Sequence, residues 1–328
     1  MNLPDIFFNG AGRLRSGWRL AIFIGIYLIV VALVQFSIMF MASLVMGAAA
    51  GPFLEGNMGW VVQALMLFIP AAVVGWLCCL MLEELPWRSL GWGLHRGWLR
   101  DLLKGSLIGA ASLLLAATLA AVFGGLRFAF VARMMPAEVG KTLLVSGLIF
   151  ILAAAAEEML FRGYPLQTLA RARLAWFGLL ITSVLFASVH LNNPNVVRGF
   201  TFINTLLAGI WLGMAYLRTR SLWLPLGIHW SWNWTMGAVL GLPVSGIERL
   251  TPAPLMRAVD AGPAWLTGGA YGIEGGAACT LALILSTLFI WRTRLLSPNE
   301  EMKRLTSEEN PRPDYRPVHI YERPSEQG

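Results

Sequence analysis

Two adjacent carboxylates interrupt a long apolar run in the middle of the chain. The segment ILAAAAEEMLFRG places Glu157 and Glu158 directly after aliphatic residues, and Arg162 follows four residues after Glu158. Residues four apart lie on one helical face, so Glu158 and Arg162 can pair, whereas Glu157 is rotated about 100° away. A free carboxylate buried beside a second one suits a general base. The cluster is equally compatible with the end of a membrane span, at which Arg162 extends toward the lipid headgroups.

Two histidine pairs follow at the same spacing. FASVH puts Phe186 and His190 on one helical face, and HWSWN does the same for His229 and Asn233. Imidazole and carboxamide groups can donate hydrogen bonds, and paired donors aimed at one point stabilise the oxyanion of acyl transfer. A histidine near a helix end, such as His190, is also typical of a capping or satisfied core residue. His229 and Asn233 are equally typical of polar groups that hold membrane helices together.

The remaining sequence indicates which elements must position these residues. The protein has 328 residues, of which 57% are hydrophobic and 13% are charged. Apolar helices of about 20 residues cross a bilayer, whereas a membrane barrel would show short alternating strands. We therefore predict an all-α integral membrane protein, a bundle of about eight transmembrane helices with a polar intramembrane site.

The predicted transmembrane domain covers residues 1–296, and its motif-bearing core covers 142–241. Residues 297–328 are rich in charge and proline, so we expect a disordered cytoplasmic tail. The loop from about Leu242 to Glu274 is rich in glycine and proline and is a candidate to fold over the bundle. The predicted helices are residues 20–46, 58–82, 102–123, 142–162, 175–191, 200–217, 221–241 and 275–291.

The basic residues predict the orientation of the bundle. With a cytoplasmic amino terminus, arginine and lysine concentrate in the cytoplasmic connections, even when the tail is left out. The first apolar run is too long for a cleavable signal peptide, and no organelle signal is evident. We expect an integral protein of the bacterial cytoplasmic membrane with both termini cytoplasmic. The basic residues behind the net charge of +7 lie mainly between the predicted spans, so we attribute this charge to membrane topology and not to binding of nucleic acid. The expected partners include the lipid bilayer and no nucleic acid.

Some other polar positions have simpler interpretations. Cys78, Cys79 and Cys279 lack metal-site spacing and are expected to be small packing residues. Glu83 is interpreted as a charge at the headgroup level, and His95 as an ordinary surface residue.

Together, the three clusters resemble the motif set of the CAAX protease and bacteriocin-processing (CPBP) family of intramembrane endopeptidases, also called the abortive infection family. The family pattern EExxxR, FxxxH and HxxxN or HxxxD reads here as EEMLFR, FASVH and HWSWN. All three motifs match without a gap or a substitution, on successive hydrophobic helices from the fourth predicted span to the seventh.

The resemblance assigns a role to each residue. Glu157 with His190 would activate a water that attacks the scissile carbonyl, and His229 with Asn233 would stabilise the oxyanion. Glu158 and Arg162 would hold the site in shape. No cofactor is expected, because the chain has no H-E-x-x-H pattern. A zinc site formed by Glu157, His190 and His229 stays open as an alternative.

The implied activity is hydrolysis of a peptide bond in a lipid-anchored or membrane-embedded protein or peptide. Eukaryotic relatives trim prenylated C-a-a-X ends, and bacterial relatives are associated with bacteriocin processing, immunity and envelope traits. Two other classes stay open. One is a non-enzymatic immunity or adaptor protein whose polar clusters fix helix packing, and the other is a small transporter, although no inverted halves are visible.

Straight helices would keep the motifs apart. Glu157 and His229 would lie toward the cytoplasmic side, whereas His190 would lie about 22 Å along an outward-running helix. Either the fourth helix continues inward past Arg162, or the segment GYPLQTLARARLAW occupies this depth before the fifth helix begins. We favour the second alternative. Gly163 and Pro165 can interrupt a helix, so the segment would be irregular and the fifth helix would begin near Gly178.

Overall fold

The computed structural model describes residues 6–10, 12–130, 136–197 and 199–307. Twelve helices are assigned within these residues. They are α1 Ser16–Met46, α2 Ala50–Glu55, α3 Asn57–Glu83, α4 Trp98–Val122, α5 Pro136–Glu158, α6 Tyr164–Arg171, α7 Ala175–His190, α8 Phe200–Thr219, α9 Trp223–Trp234, α10 Ala264–Thr267, α11 Ala277–Arg292 and α12 Glu300–Leu305. Turns of 3₁₀-helix occupy Gly47–Ala49, Trp87–Leu90, Gly269–Tyr271 and Ile273–Gly275, and wider π-helical turns occupy Met159–Gly163 and Thr235–Val239.

The fold is that of a helical membrane protein, as the sequence predicts. Five helical segments in the described part of the chain are long and apolar enough to cross a bilayer: Ser16–Glu55, Asn57–Glu83, Trp98–Val122, Pro136–Arg171 and Phe200–Thr219. The apolar helices α7 and α11 are shorter. The predicted number of eight spans is therefore not confirmed, although a helix lies at each of the eight predicted positions.

Glycines let α4 and α9 approach each other at backbone distance. A Cβ atom on Gly105 would lie 2.2 Å from the carbonyl oxygen of Leu224, and one on Gly109 would lie 2.2 Å from that of Ile228. On the facing helix, a Cβ on Gly227 would lie 2.2 Å from the carbonyl oxygen of Leu102. Small residues spaced by four allow this close packing in membranes, where no hydrophobic effect drives helices together. The contact fixes α9, the helix that carries His229 and Asn233.

The fourth apolar segment bends but does not end at the carboxylates. Helix α5 continues through the wide turn Met159–Gly163 into α6, and this segment of 36 residues runs from Pro136 to Arg171. Pro165 has no N–H to donate to the preceding turn, which accounts for the widening. The expectation of an irregular segment was wrong, because the residues of α6 remain helical and are buried.

This arrangement resolves the difference in depth between the motifs. From Glu157 to Arg171 the chain travels about 21 Å, and from Ala175 to His190 it returns about 22 Å at 1.5 Å per residue. The reversal between α6 and α7 includes Arg173, which has a positive φ of 63°. Two arms of nearly equal length thus bring His190 back to the level of Glu157.

A two-stranded sheet and a long loop cover one end of the bundle. Strand β1, Leu126–Phe130, pairs antiparallel with β2, Met256–Asp260, with Leu126 opposite Asp260. The loop after α9 packs closely on its neighbours, since Gly272 has a φ of 94° and a Cβ there would lie 2.1 Å from the carbonyl oxygen of Pro243. The sequence did not predict these strands. It did indicate that this loop could fold over the bundle.

The opposite end is closed by the segment that follows α11. Helix α12 buries Met302, and Arg171 Nε donates to the carbonyl oxygen of Ser307 at 3.0 Å. Residues 297–307 are thus packed, and the predicted start of a disordered tail at 297 is too early. Residues 308–328 of that predicted tail lie outside the described residues.

Two polar residues are more buried than the sequence suggested. Glu83 is 1% exposed and forms ion pairs with Arg19 and Arg171. His95 is 2% exposed, and its Nε2 lies 3.2 Å from Ser221 Oγ. The interpretations of Glu83 as a headgroup-level charge and of His95 as a surface residue were therefore wrong. The three cysteines are free and buried, as expected of packing residues.

The glycine contact between α4 and α9 leads to a stability prediction. We expect Gly109→Val to lower the free energy of unfolding by about 1–3 kcal/mol, because a larger side chain forces the two backbones apart. Denaturant unfolding of the purified protein in micelles measures the change. The matched control is Gly140→Val on α5, where a Cβ meets nothing within 4 Å. Equal losses in the two variants would contradict the close-packing argument.

Candidate active site

Four helical elements bring the predicted site residues together. Glu157 and Glu158 end α5, Arg162 lies in the wide turn Met159–Gly163, and His190 ends α7. Helix α9 carries the remaining two residues, His229 and Asn233. Glu157, His190, His229 and Asn233 line one cavity of about 420 Å³. Glu158 and Arg162 lie behind its wall and are fully buried.

Glu158 is the centre of a buried hydrogen-bond network. Its Oε1 accepts from Arg162 Nη1 at 3.1 Å and from His229 Nδ1 at 2.9 Å. Arg162 Nη2 donates to the carbonyl oxygen of Gly209 on α8 at 3.2 Å, and the guanidinium lies 4.5 Å from the ring centroid of Phe186. Charge-assisted hydrogen bonds of this kind fix side-chain geometry strongly in a dry interior. The network therefore orients His229 so that its Nε2 faces the cavity.

Glu157 has a different environment from its neighbour. Its side chain is 31% exposed, whereas the side chain of Glu158 is 0% exposed. Glu157 Oε2 lies 3.9 Å from His190 Nε2 and 3.7 Å from His229 Nε2. These separations exceed a hydrogen bond, and Oε2 has no hydrogen-bond partner among the described residues. The space between the three groups suits a small polar species such as a water molecule.

A backbone carbonyl sets the orientation of His190. Its Nδ1 lies 2.7 Å from the carbonyl oxygen of Phe186, one turn earlier on α7. A carbonyl oxygen can only accept, so Nδ1 carries a proton and Nε2 is left facing Glu157. The side chain of Phe186 adds a second constraint, since its ring centroid lies 4.5 Å from that of His190 and 4.5 Å from the Arg162 guanidinium.

The cavity lining also contains polar residues that the sequence did not single out. Glu274 and Ser245, both in the loop after α9, line it together with Asn193 and Asn204. Glu274 is the only charged residue between Asp260 and Arg292. A single charged residue within a glycine-rich and apolar stretch was the sequence signal that could have identified Glu274.

The zinc alternative requires Glu157, His190 and His229 as ligands with an open fourth position. In the part of the chain that the structure describes, no group of three or more His, Cys, Asp or Glu side chains is arranged to hold a metal ion. The three residues do offer the nitrogen and oxygen donors that zinc binds. Zinc dependence stays an alternative to be tested.

The segment that carries the site is similar to known proteins. Residues 139–235 match the Rce1-like family of type II CAAX prenyl endopeptidases. This Rce1-like segment contains all three motifs, so the resemblance that they predict is confirmed there. An uncharacterized 24.3 kDa protein of Escherichia coli is 38% identical over 96 residues, which are 28% of this chain and 42% of that protein. The chain therefore matches less than half the length of that relative.

The two adjacent glutamates should differ in their effect on stability. We expect Glu158→Ala to lower the free energy of unfolding by about 3 kcal/mol or more, because the change leaves the buried Arg162 charge without its carboxylate. Glu157→Ala should cost less than about 1 kcal/mol, as is usual away from buried networks. Unfolding midpoints of both variants in the same detergent measure this difference. Comparable losses would show that the two carboxylates are equally structural.

Proposed function

We propose that this protein is an intramembrane endopeptidase that hydrolyses a peptide bond in a lipid-anchored or membrane-embedded protein or peptide. The observation that carries the proposal is the carboxylate of Glu157, which lines the cavity and whose Oε2 faces His190 and His229 without a hydrogen bond among the described residues. The family of the Rce1-like segment supports the same reaction class. Unlike Glu158, whose carboxylate contacts Arg162 and His229 directly, Glu157 is partly exposed to the cavity.

In the proposed reaction, Glu157 takes a proton from a water molecule while the water oxygen attacks the scissile carbonyl carbon. His190 helps to position that water. The carbonyl oxygen becomes negative, and His229 and Asn233 donate hydrogen bonds to it. Glu158 stabilises the charged form of His229, whose Nε2–H then points into the cavity. The C–N bond breaks as Glu157 returns its proton to the leaving nitrogen, which yields a carboxylic acid and an amine. The acid then loses its remaining proton to the amine or to water.

The substrate must enter as an extended segment or a chain end. Helical backbone protects its own carbonyl groups in a membrane, so a helix has to unwind before it can be cut. The cavity combines apolar walls, such as Trp60, Leu67 and Phe150, with the polar site residues. This combination suits an apolar peptide with one exposed carbonyl.

We place both termini in the cytoplasm of a bacterium, and a reporter fused to the carboxyl end tests this placement.

The proposal is tested by comparing peptide termini in membranes of cells that carry the wild-type protein or Glu157→Gln at matched expression. We expect specific termini to decrease at least about 100-fold in the variant, because general-base catalysis contributes roughly 10²–10⁴-fold. The control is Glu138→Gln, an exposed carboxylate in the first turn of the same helix. If no terminus changes while Glu157→Gln still supports the cellular role, an adaptor function is favoured.

Metal dependence has a separate test. We expect the purified protein to keep its activity after chelator treatment and dialysis, because a carboxylate base can activate water without a metal ion. Elemental analysis of the active protein should then find zinc far below one ion per chain. Loss of activity with chelator, restored by stoichiometric zinc, would establish the alternative in which Glu157, His190 and His229 bind zinc.

A further inference from the structure

The described cavity lining contains carboxylates without a matching lysine or arginine. Two carboxylates, Glu157 and Glu274, contribute to its lining, and neither lysine nor arginine lines it among the described residues. Glu157 belongs to the proposed catalytic group. Glu274 lies outside the Rce1-like segment and has no part in the proposed reaction. A second carboxylate in a cavity lining without lysine or arginine needs another explanation.

Glu274 is held in place by three donors. Its Oε1 accepts from Trp232 Nε1 at 3.0 Å, and its Oε2 accepts from the N–H and the hydroxyl of Ser245, both at 2.8 Å. Asn204 Nδ2 donates to the Glu274 carbonyl oxygen at 2.7 Å. A carboxylate offers about four acceptor positions. The side chain is therefore fixed in orientation and can still accept from a ligand.

The negative charge of Glu274 is not balanced by a cation of the described chain. No lysine, arginine or histidine there forms an ion pair with it, and the nearby loop residue Arg249 lies over the Trp60 ring at 5.2 Å instead. The groups that contact Glu274 are neutral donors. Burial, together with the charge of Glu274, raises the pKa of Tyr271, so that this neighbouring hydroxyl also stays neutral. A cationic ligand would supply the missing charge.

The position of Glu274 relates it to the proposed reaction. Its partner Trp232 lies three residues beyond His229 on α9, a rise of about 4.5 Å. Asn193, which lines the same cavity, lies three residues beyond His190. Glu274 therefore lies beside the catalytic group, on the side toward which α9 runs after His229 and the chain runs after His190. A substrate that places its carbonyl at Glu157 extends toward Glu274 in one direction.

We propose that Glu274 is a specificity subsite that binds the ammonium or guanidinium group of a basic residue near the scissile bond. This inference rests on the proposed function for its meaning, since the cation belongs to a peptide substrate. The aromatic and aliphatic walls receive the apolar stem of a lysine or arginine, and the carboxylate receives its charged end. The same charge disfavours an acidic residue at this position.

The first test measures cation binding without peptide hydrolysis. The Glu157→Gln protein, in which Glu274 is the remaining carboxylate of the cavity lining, is titrated with n-hexylammonium chloride and with n-hexanol at constant ionic strength. Fluorescence of the cavity tryptophans reports binding. We expect the ammonium ion to bind about tenfold more tightly than the alcohol, the difference expected for a charge-assisted hydrogen bond. Equal affinities would overturn the proposal.

Matched variants assign this preference to one side chain. In the Glu157→Gln background, Glu274→Gln should abolish the preference, and Glu274→Asp, which keeps the charge, should retain most of it. Glu248→Gln is the control, because Glu248 is an exposed carboxylate of the same loop that does not line the cavity. A preference that survives in Glu274→Gln refutes the assignment. If that variant does not fold, loss of the preference in Glu274→Asp refutes it.

The second test uses a substrate found in the survey of termini. Lysine or norleucine is placed in turn at three positions on each side of the cleaved bond, and kcat/KM is measured for each peptide. At one position the lysine-to-norleucine ratio should exceed one and should fall about tenfold in Glu274→Gln. A ratio unchanged by Glu274→Gln at every position contradicts the subsite. If no peptide is cleaved, the proposed function fails, while the ammonium titration still decides the subsite.

Discussion

The buried contact of Glu158 with Arg162 is the interaction on which the rest of the site depends. A carboxylate and a guanidinium removed from water are stable only when each has well-placed partners. Glu158 finds its second partner in His229 on α9, and Arg162 finds one in the carbonyl of Gly209 on α8. One ion pair thus links the wide turn after α5 to two other helices. Displacement of any of these helices would expose an unsatisfied charge, so the pair enforces their relative positions.

This constraint explains why neighbouring glutamates behave so differently. Helical rotation turns Glu158 into the protein and Glu157 toward the cavity. Glu158 accepts hydrogen bonds from Arg162 and His229 inside the protein, whereas Glu157 is available to contact a reactant. His229 connects the two, since Nδ1 contacts Glu158 while Nε2 faces Glu157. The orientation of the reactive group is therefore set by groups that never contact the substrate.

The sequence predicted the helical membrane fold and the i, i+4 pairing of Glu158 with Arg162, because both depend on local periodicity. It did not predict the depth of His190, since that depends on a helix continuing through Gly163 and Pro165 and on the equal lengths of the two following arms. The burial of Glu83 was also missed, because its partners Arg19 and Arg171 are distant along the chain. The spacing of Gly105 and Gly109 indicates close helix packing, but these glycines did not stand out among the surrounding apolar residues. Glu274 was missed because a single carboxylate in a loop carries no spacing information.

The loop that contributes Glu274 is fastened to the bundle at several independent points. Trp232, Ser245 and Asn204 hold Glu274, Thr280 Oγ1 donates to Asn204 Oδ1, and the pairing of β1 with β2 ties the loop to the connection after α4. Such a loop acts as a fixed wall and not as a moving lid. Little conformational entropy is then lost on that side when a ligand is bound. Selection among ligands accordingly depends on fit to a preformed surface, and the motion that admits them has to arise elsewhere in the bundle.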